Sequence, residues 1–133
     1  MLVILENFTY ETLDSEEIDL LTEMLNKEAT DLNSFFLFNL EVIELSITKL
    51  NSNEKYLVQT SAVKELLEIV FLAKKIVALI DNRKDSIRIT TSELESIKIN
   101  ANSIINGVEK VAELNKKNMV NKEPSELFIY LTI

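Results

Sequence analysis

Gly107 and Pro124 are the only glycine and the only proline in a chain of 133 residues. An all-β sandwich or barrel turns every 8–12 residues or so and draws on glycine and proline to do it. A chain this poor in turn residues is restricted to long elements with few connections, which means helices. There is no Gly/Pro/Ser-rich linker and no internal repeat, and the length suits one domain, so residues 1–133 are expected to form a single helical domain. A chain of this size buries about two-thirds of its unfolded surface. With 47% hydrophobic residues it needs neither disulfide nor metal to hold a core. It contains no cysteine, so it is indifferent to redox compartment.

Periodicity places the helices. In "LDSEEIDLL", Asp14 is a candidate N-cap with Glu17 at the third helical position, a capping-box arrangement. From there an apolar stripe runs in helical phase through Ile18, Leu21, Leu25, Ala29, Leu32, Phe36, Leu40, Ile43, Ile47 and Leu50. We expect two helices here, meeting by a kink or short turn near "ATDLNS", where Asp31 or Ser34 could cap the second. "LNSNEKY" over residues 50–56 is the clearest break. A third helix is expected over about 55–83, with its seam at Ala62, Leu66, Ile69, Val70, Ala73, Ile76, Val77 and Ile80. Lys64, Glu65, Glu68 and Lys75 share a narrow polar stripe into which Leu72 and Leu79 intrude, as expected of a central helix or one that also meets a partner. "DSIRITTSELESI" carries a fuller signal: Thr90 as cap, Glu93 three residues on, and Ile89 positioned to staple to Leu94. The fourth helix then runs to about residue 117, with its seam at Leu94, Ile97, Ala101, Ile104, Ile105, Val108, Val111 and Ala112. Gly107 inside it marks a close helix contact. Residues 86–89 could form a short strand.

Two apolar ends complete the chain, "LVIL" at 2–5 and "LFIYLTI" at 127–133. Both suit extended structure, and two strands satisfy their backbones best as a pair. Alternatives are a last helix opened by Pro124 at its first position, or a tail that pairs across a dimer. The expected fold is mainly α, a four-helix bundle with short extended, β-paired ends.

Chemistry is constrained by what is missing. Without histidine or cysteine there is no imidazole base, no Ser-His-Asp or Cys-His arrangement and no thiolate metal site. One glycine permits neither a P-loop nor a GxGxxG loop. One carboxylate pattern remains: Glu41-x-x-Glu44 and Glu65-x-x-Glu68 on two successive helices, each pair sharing a face. This pattern resembles that of the all-α nucleotide pyrophosphohydrolases. The resemblance implies magnesium held between the two pairs and hydrolysis of a nucleotide phosphoanhydride. It covers these four residues, and the family's second pair is typically Glu-x-x-Asp. On helical projection Glu41 and Glu44 point away from the apolar seam, whereas a metal site needs inward carboxylates. No cofactor or metal is expected, and no catalytic residue is assigned.

Charge says more. The chain carries a net charge of −8, and it is unevenly placed: residues 1–54 hold 12 acids and 2 bases, residues 55–133 hold 10 acids and 12 bases. An acidic half repels nucleic acid and anionic membrane and attracts basic surfaces. Glu16, Asp19 and Glu23 recur at helical spacing as one outward stripe with Leu20 beside it. Further along, Leu37 sits among Asn33, Glu41 and Glu44, also outside the seam. Acidic charge for steering with isolated leucines for desolvated contact is what docking a basic protein requires. The ordinary alternative is a solvated face with scattered exposed leucines. Asn39 and Ser46, close to the seam, are expected to bond neighbouring backbone or fix helix register. In "NSFFLFNL", Phe35, Phe36 and Phe38 spread over two faces, more than one neighbour covers. With Leu72, Leu79, Phe128 and Tyr130 they point to self-association as a second possibility.

"MLVILENF" has no basic start, and residues 62–80 are interrupted by five charges, so neither a secretory leader nor a membrane span is expected. We therefore expect a cytoplasmic protein; its richness in Ile, Asn, Lys and Glu suggests a bacterial or phage genome. The expected function is a non-enzymatic, acidic protein–protein interaction module of the inhibitor, immunity or anti-defence kind. Its partner would be a basic protein, such as a nuclease or other nucleic-acid-binding protein, contacted through Glu16, Asp19, Leu20, Glu23, Leu37, Glu41 and Glu44. The alternatives are a homo-oligomeric structural protein and the magnesium-dependent hydrolase.

Overall fold

A computed structural model describes residues 13–119, and within them the protein is three packed α-helices without a strand. Helix α1 spans Ser15–Ser52, α2 spans Thr60–Arg83 and α3 spans Thr91–Asn118, with a 3₁₀ turn over Lys84–Ser86 joining α2 to α3. The four-helix expectation becomes three because the first two helices run on as one element of 38 residues. The expected interruption exists, but as a kink at Glu28 (φ −128°, ψ 28°) rather than a new start capped by Asp31 or Ser34. The strand expected over 86–89 is absent: the 3₁₀ turn takes Ser86, and Ile87 follows in extended conformation without a sheet partner. The apolar ends, with Phe128 and Tyr130, lie outside the described residues.

The helix starts form as the side chains dictate. Asp14 Oδ1 accepts from the Glu17 N–H at 2.7 Å, and Thr90 Oγ1 accepts from the Glu93 N–H at 3.1 Å. Each bond satisfies one of the orphan donors of a first turn, worth about 1 kcal/mol. The two acidic partners then reach outward to tertiary neighbours. The Glu17 carboxylate pairs with Lys75 on α2 at 2.6 Å, and Glu93 accepts from Thr30 on α1 at 3.3 Å. Helix α2 begins at Thr60, five residues later than its periodicity suggests. The delay has two causes. Asn53 Oδ1 accepts from the Lys55 N–H to form an Asx turn, and the Val58 N–H donates 2.9 Å to Asn115 Oδ1 on α3 instead of entering a helix.

The core follows the apolar stripes closely. Leu25, Ala29, Leu32, Phe36, Ile43 and Leu50 of α1 are buried, with Ile18, Leu21, Leu40 and Ile47 packed against them. They meet Leu94, Ile97, Ala101, Ile104, Val108 and Val111 of α3. Gly107 stands at the closest approach of these two helices. A Cβ built there would come within 2.8 Å of Ile43 Cγ2. Beside this seam runs a polar ladder in which Asn100 donates to Asn33 at 2.6 Å and Asn33 donates to Ser96 at 3.2 Å. Helix α2 packs chiefly on α3, through Val63, Val70, Ala73, Ile76 and Leu79, all fully buried.

Candidate interaction face

The kink at Glu28 divides α1 into two segments with one inner face and two unlike outer faces. Upstream, Glu16, Asp19, Leu20 and Glu23 are all exposed, Leu20 by 60%. The structure thus brings four of the seven expected contact residues onto one open strip. Glu16 and Asp19 make no ion pair among the described residues. Glu23 does, with Lys27 one turn on, at 2.5 Å. The hydrogen bond from Lys27, and then its charge, hold the Glu23 carboxyl below the usual carboxylate range; the same contact raises the Lys27 ammonium. Part of the stripe's negative field is therefore answered locally, and the free charge sits toward the helix start.

Downstream, Leu37 (49% exposed), Glu41 and Glu44 are on the surface as their spacing implies. The same segment also exposes Phe35, Phe38, Val42 and Leu45, at 48%, 63%, 43% and 62%. Their spacing of three, four and three residues aligns them along one edge, turned roughly 130° from the buried stripe. The Phe35 ring lies 6.4 Å from that of Phe36, tilted against it, so it spans the boundary between core and surface. Asn39 and Ser46 donate to the carbonyls of Phe35 and Val42, one turn back, as residues near a helix seam commonly do.

The other candidate residues are dispersed. Glu41, Glu44, Glu65 and Glu68 are each exposed. They do not converge, and the described residues contain no group of three or more carboxylates placed to hold a metal ion. Asp81 and Lys98 face each other across the mouth of a groove between α2 and α3, and pair at 2.5 Å. The hydrogen bond that Lys98 donates to Asp81, and then the carboxylate's charge, raise the Lys98 pKa. Leu79 is fully buried and Leu72 is packed half-buried against the core, so neither is presented to a second molecule as the outer edge of α1 is. No helix among the described residues is long and apolar enough to cross a membrane.

Three asparagines that periodicity passes over hold the connections. Asn26 donates to the Ser86 carbonyl at 3.2 Å and accepts from the Arg88 N–H at 2.6 Å, fixing the α2–α3 link. Asn118 donates toward the carbonyls of Leu50, Asn53 and Tyr56 at 3.0–3.2 Å, closing the end of α1 onto α3. Asn115, the buried polar residue of the core, holds Val58. The signal available for them is an amide in apolar or end-of-helix territory, which names no partner. Comparison with protein-family models, with curated proteins and with solved structures returns no significant match.

Proposed function

We propose that this protein is a non-enzymatic interaction module that docks a basic protein through the outer face of α1. Glu16, Asp19 and Glu23 would steer the partner, and Leu20 would supply the desolvated contact, with Leu37, Glu41 and Glu44 extending the footprint. Such a surface mimics a polyanion, and a partner that normally binds nucleic acid would be occluded by it, as an inhibitor, immunity or anti-defence protein does. The observation that carries this is the open acidic strip beside a 60%-exposed leucine on the first segment of α1. Electrostatic steering makes association fast and salt-sensitive.

The test is a capture experiment in the source cell, or in its host if the gene is phage-borne, followed by kinetics. A basic partner should be retained by the native protein and lost by a variant carrying Glu16→Lys, Asp19→Lys and Glu23→Lys. In surface-binding kinetics the triple variant should slow association roughly tenfold to a hundredfold, with a flattened salt dependence. Equal capture and equal association rates for the two proteins would remove the proposal.

A further inference from the structure

We propose that the second segment of α1 is a self-association surface, on which two copies of this chain pair antiparallel about a two-fold axis at residue 40. This goes beyond the acidic-face proposal; its seam residues are different, and Glu41 at the flank is the one residue the two share. The exposed apolar edge Phe35, Phe38, Val42 and Leu45 continues in helical phase to Asp31 on one side and Lys49 on the other, both exposed. All six lie downstream of the Glu28 kink, on uninterrupted helix. Their spacing reads four, three, four, three, four, and it is the same read backwards. Reversing a second copy therefore sets Phe35 against Leu45 of its mate, Phe38 against Val42, and Asp31 against Lys49, each contact occurring twice.

Charge selects this direction and this occupant. Asp31 makes no ion pair among the described residues. The Lys49 ammonium lies exposed over the Tyr56 ring, 5.8 Å from its centroid. Antiparallel pairing closes two Asp31–Lys49 ion pairs at the ends of an apolar centre. Parallel pairing would stack Asp31 on Asp31 and Lys49 on Lys49. Contiguous exposed apolar edges rimmed by polar residues mark association surfaces, and a heptad-like 4-3 spacing is the one that interlocks two helices along a seam. The seam from 31 to 49 is about 27 Å long at the α-helical rise. One unfavourable contact belongs to the same geometry: Glu41, flanking the edge next to the axis, approaches its own mate, so the dimer is adjustable at that position.

Sedimentation velocity of the full-length chain over a concentration series tests this. The native protein should show a reversible monomer–dimer equilibrium. Phe38→Asp with Leu45→Asp should raise the dissociation constant at least about a hundredfold while circular dichroism stays that of the native chain, since both side chains are on the surface. Asp31→Lys alone should weaken the dimer roughly tenfold, and Asp31→Lys with Lys49→Asp in one chain should restore it. Glu41→Gln should tighten it. Loss with the single change and recovery with the double swap mark the antiparallel register; in the parallel one like charges meet in all three chains, so neither change alters pairing. A native chain that stays monomeric throughout, or a dimer indifferent to the Phe38/Leu45 change, overturns the proposal. Failure of the double swap to restore pairing overturns the register.

Discussion

The two segments of α1 share a backbone, a packing partner and an apolar inner stripe, yet they present opposite chemistry to water. Before Glu28 the outward residues are carboxylates with one leucine and Lys27; after it they are a row of phenylalanine, valine and leucine with carboxylates moved to the flank. Folding accounts for the inner stripe in both segments, because helical stability in a globular protein comes mostly from burying one face. It accounts for neither outer face. What differs between the segments is therefore available for recognition, and the contrast separates residues that hold the molecule together from residues that the fold leaves free.

The sharpest way to break that contrast is within the second segment. Phe36 is fully buried and Phe38, two residues away, is 63% exposed. Phe36→Ala should cost about 3–5 kcal/mol in urea unfolding. Phe38→Ala, measured at concentrations where the chain is monomeric, should stay within about 0.5 kcal/mol of native. Equal effects would mean that the outer edge is part of the core after all.

Next in size is the core amide. Asn115→Leu strands the Val58 N–H in an apolar setting, and a loss of about 1–3 kcal/mol is expected in thermal or urea unfolding. At the α1–α3 crossing, Gly107→Ala gains helix propensity of about 1 kcal/mol but drives a methyl into Ile43 Cγ2. Ile43 is β-branched, buried and stiff at χ1, so overpacking of about 1–3 kcal/mol should prevail and the variant should be the less stable. In a double-mutant cycle, Ile43→Ala should absorb part of that loss, and strict additivity would show the contact to be unimportant. Replacing the first cap, Asp14→Ala, should cost about 1 kcal/mol and fray only the acidic segment, which amide exchange along α1 would localise.

The smallest expected effect is titration of the acidic face. A carboxyl whose pKa is lowered by folding stabilises above its unfolded pKa, and that contribution disappears as pH falls through the folded value. Glu23 is such a group, held down by Lys27, but it is on the surface and screened by solvent. Stability should therefore decline only slightly from this source on acidification, and Glu23→Gln should flatten that slope while lowering the neutral-pH midpoint only slightly.

Much of this fold could be read directly, because its determinants are local. Both side-chain caps are where Asp14 and Thr90 stand in the sequence, and the buried stripes of α1 and α3 are the ones that the 3.6-residue period picks out. A kink near residues 29–34 was expected and one is found at Glu28; its exact place and the late start of α2 were harder, the latter because Val58 is held by Asn115, far away in the chain. Glu28 is an ordinary helix former with neither proline nor glycine beside it. It sits between Asn26, tied to Ser86 and Arg88, and Thr30, tied to Glu93. Of the candidate face, what was legible is the exposure of Glu16, Asp19 and Glu23, because charge marks it. The apolar edge was only half legible, since hydrophobicity shows that "NSFFLFNL" covers two faces and cannot show which one a neighbour will cover.

The connections of this protein are fastened by amides. Neither Asn26, Asn115 nor Asn118 can gain or lose a proton, and none of their bonds to backbone groups is an ion pair. Ionic strength and moderate pH can thus be varied without loosening these three fastenings, which leaves the surface charges and the Glu17–Lys75 and Asp81–Lys98 pairs as the groups that respond.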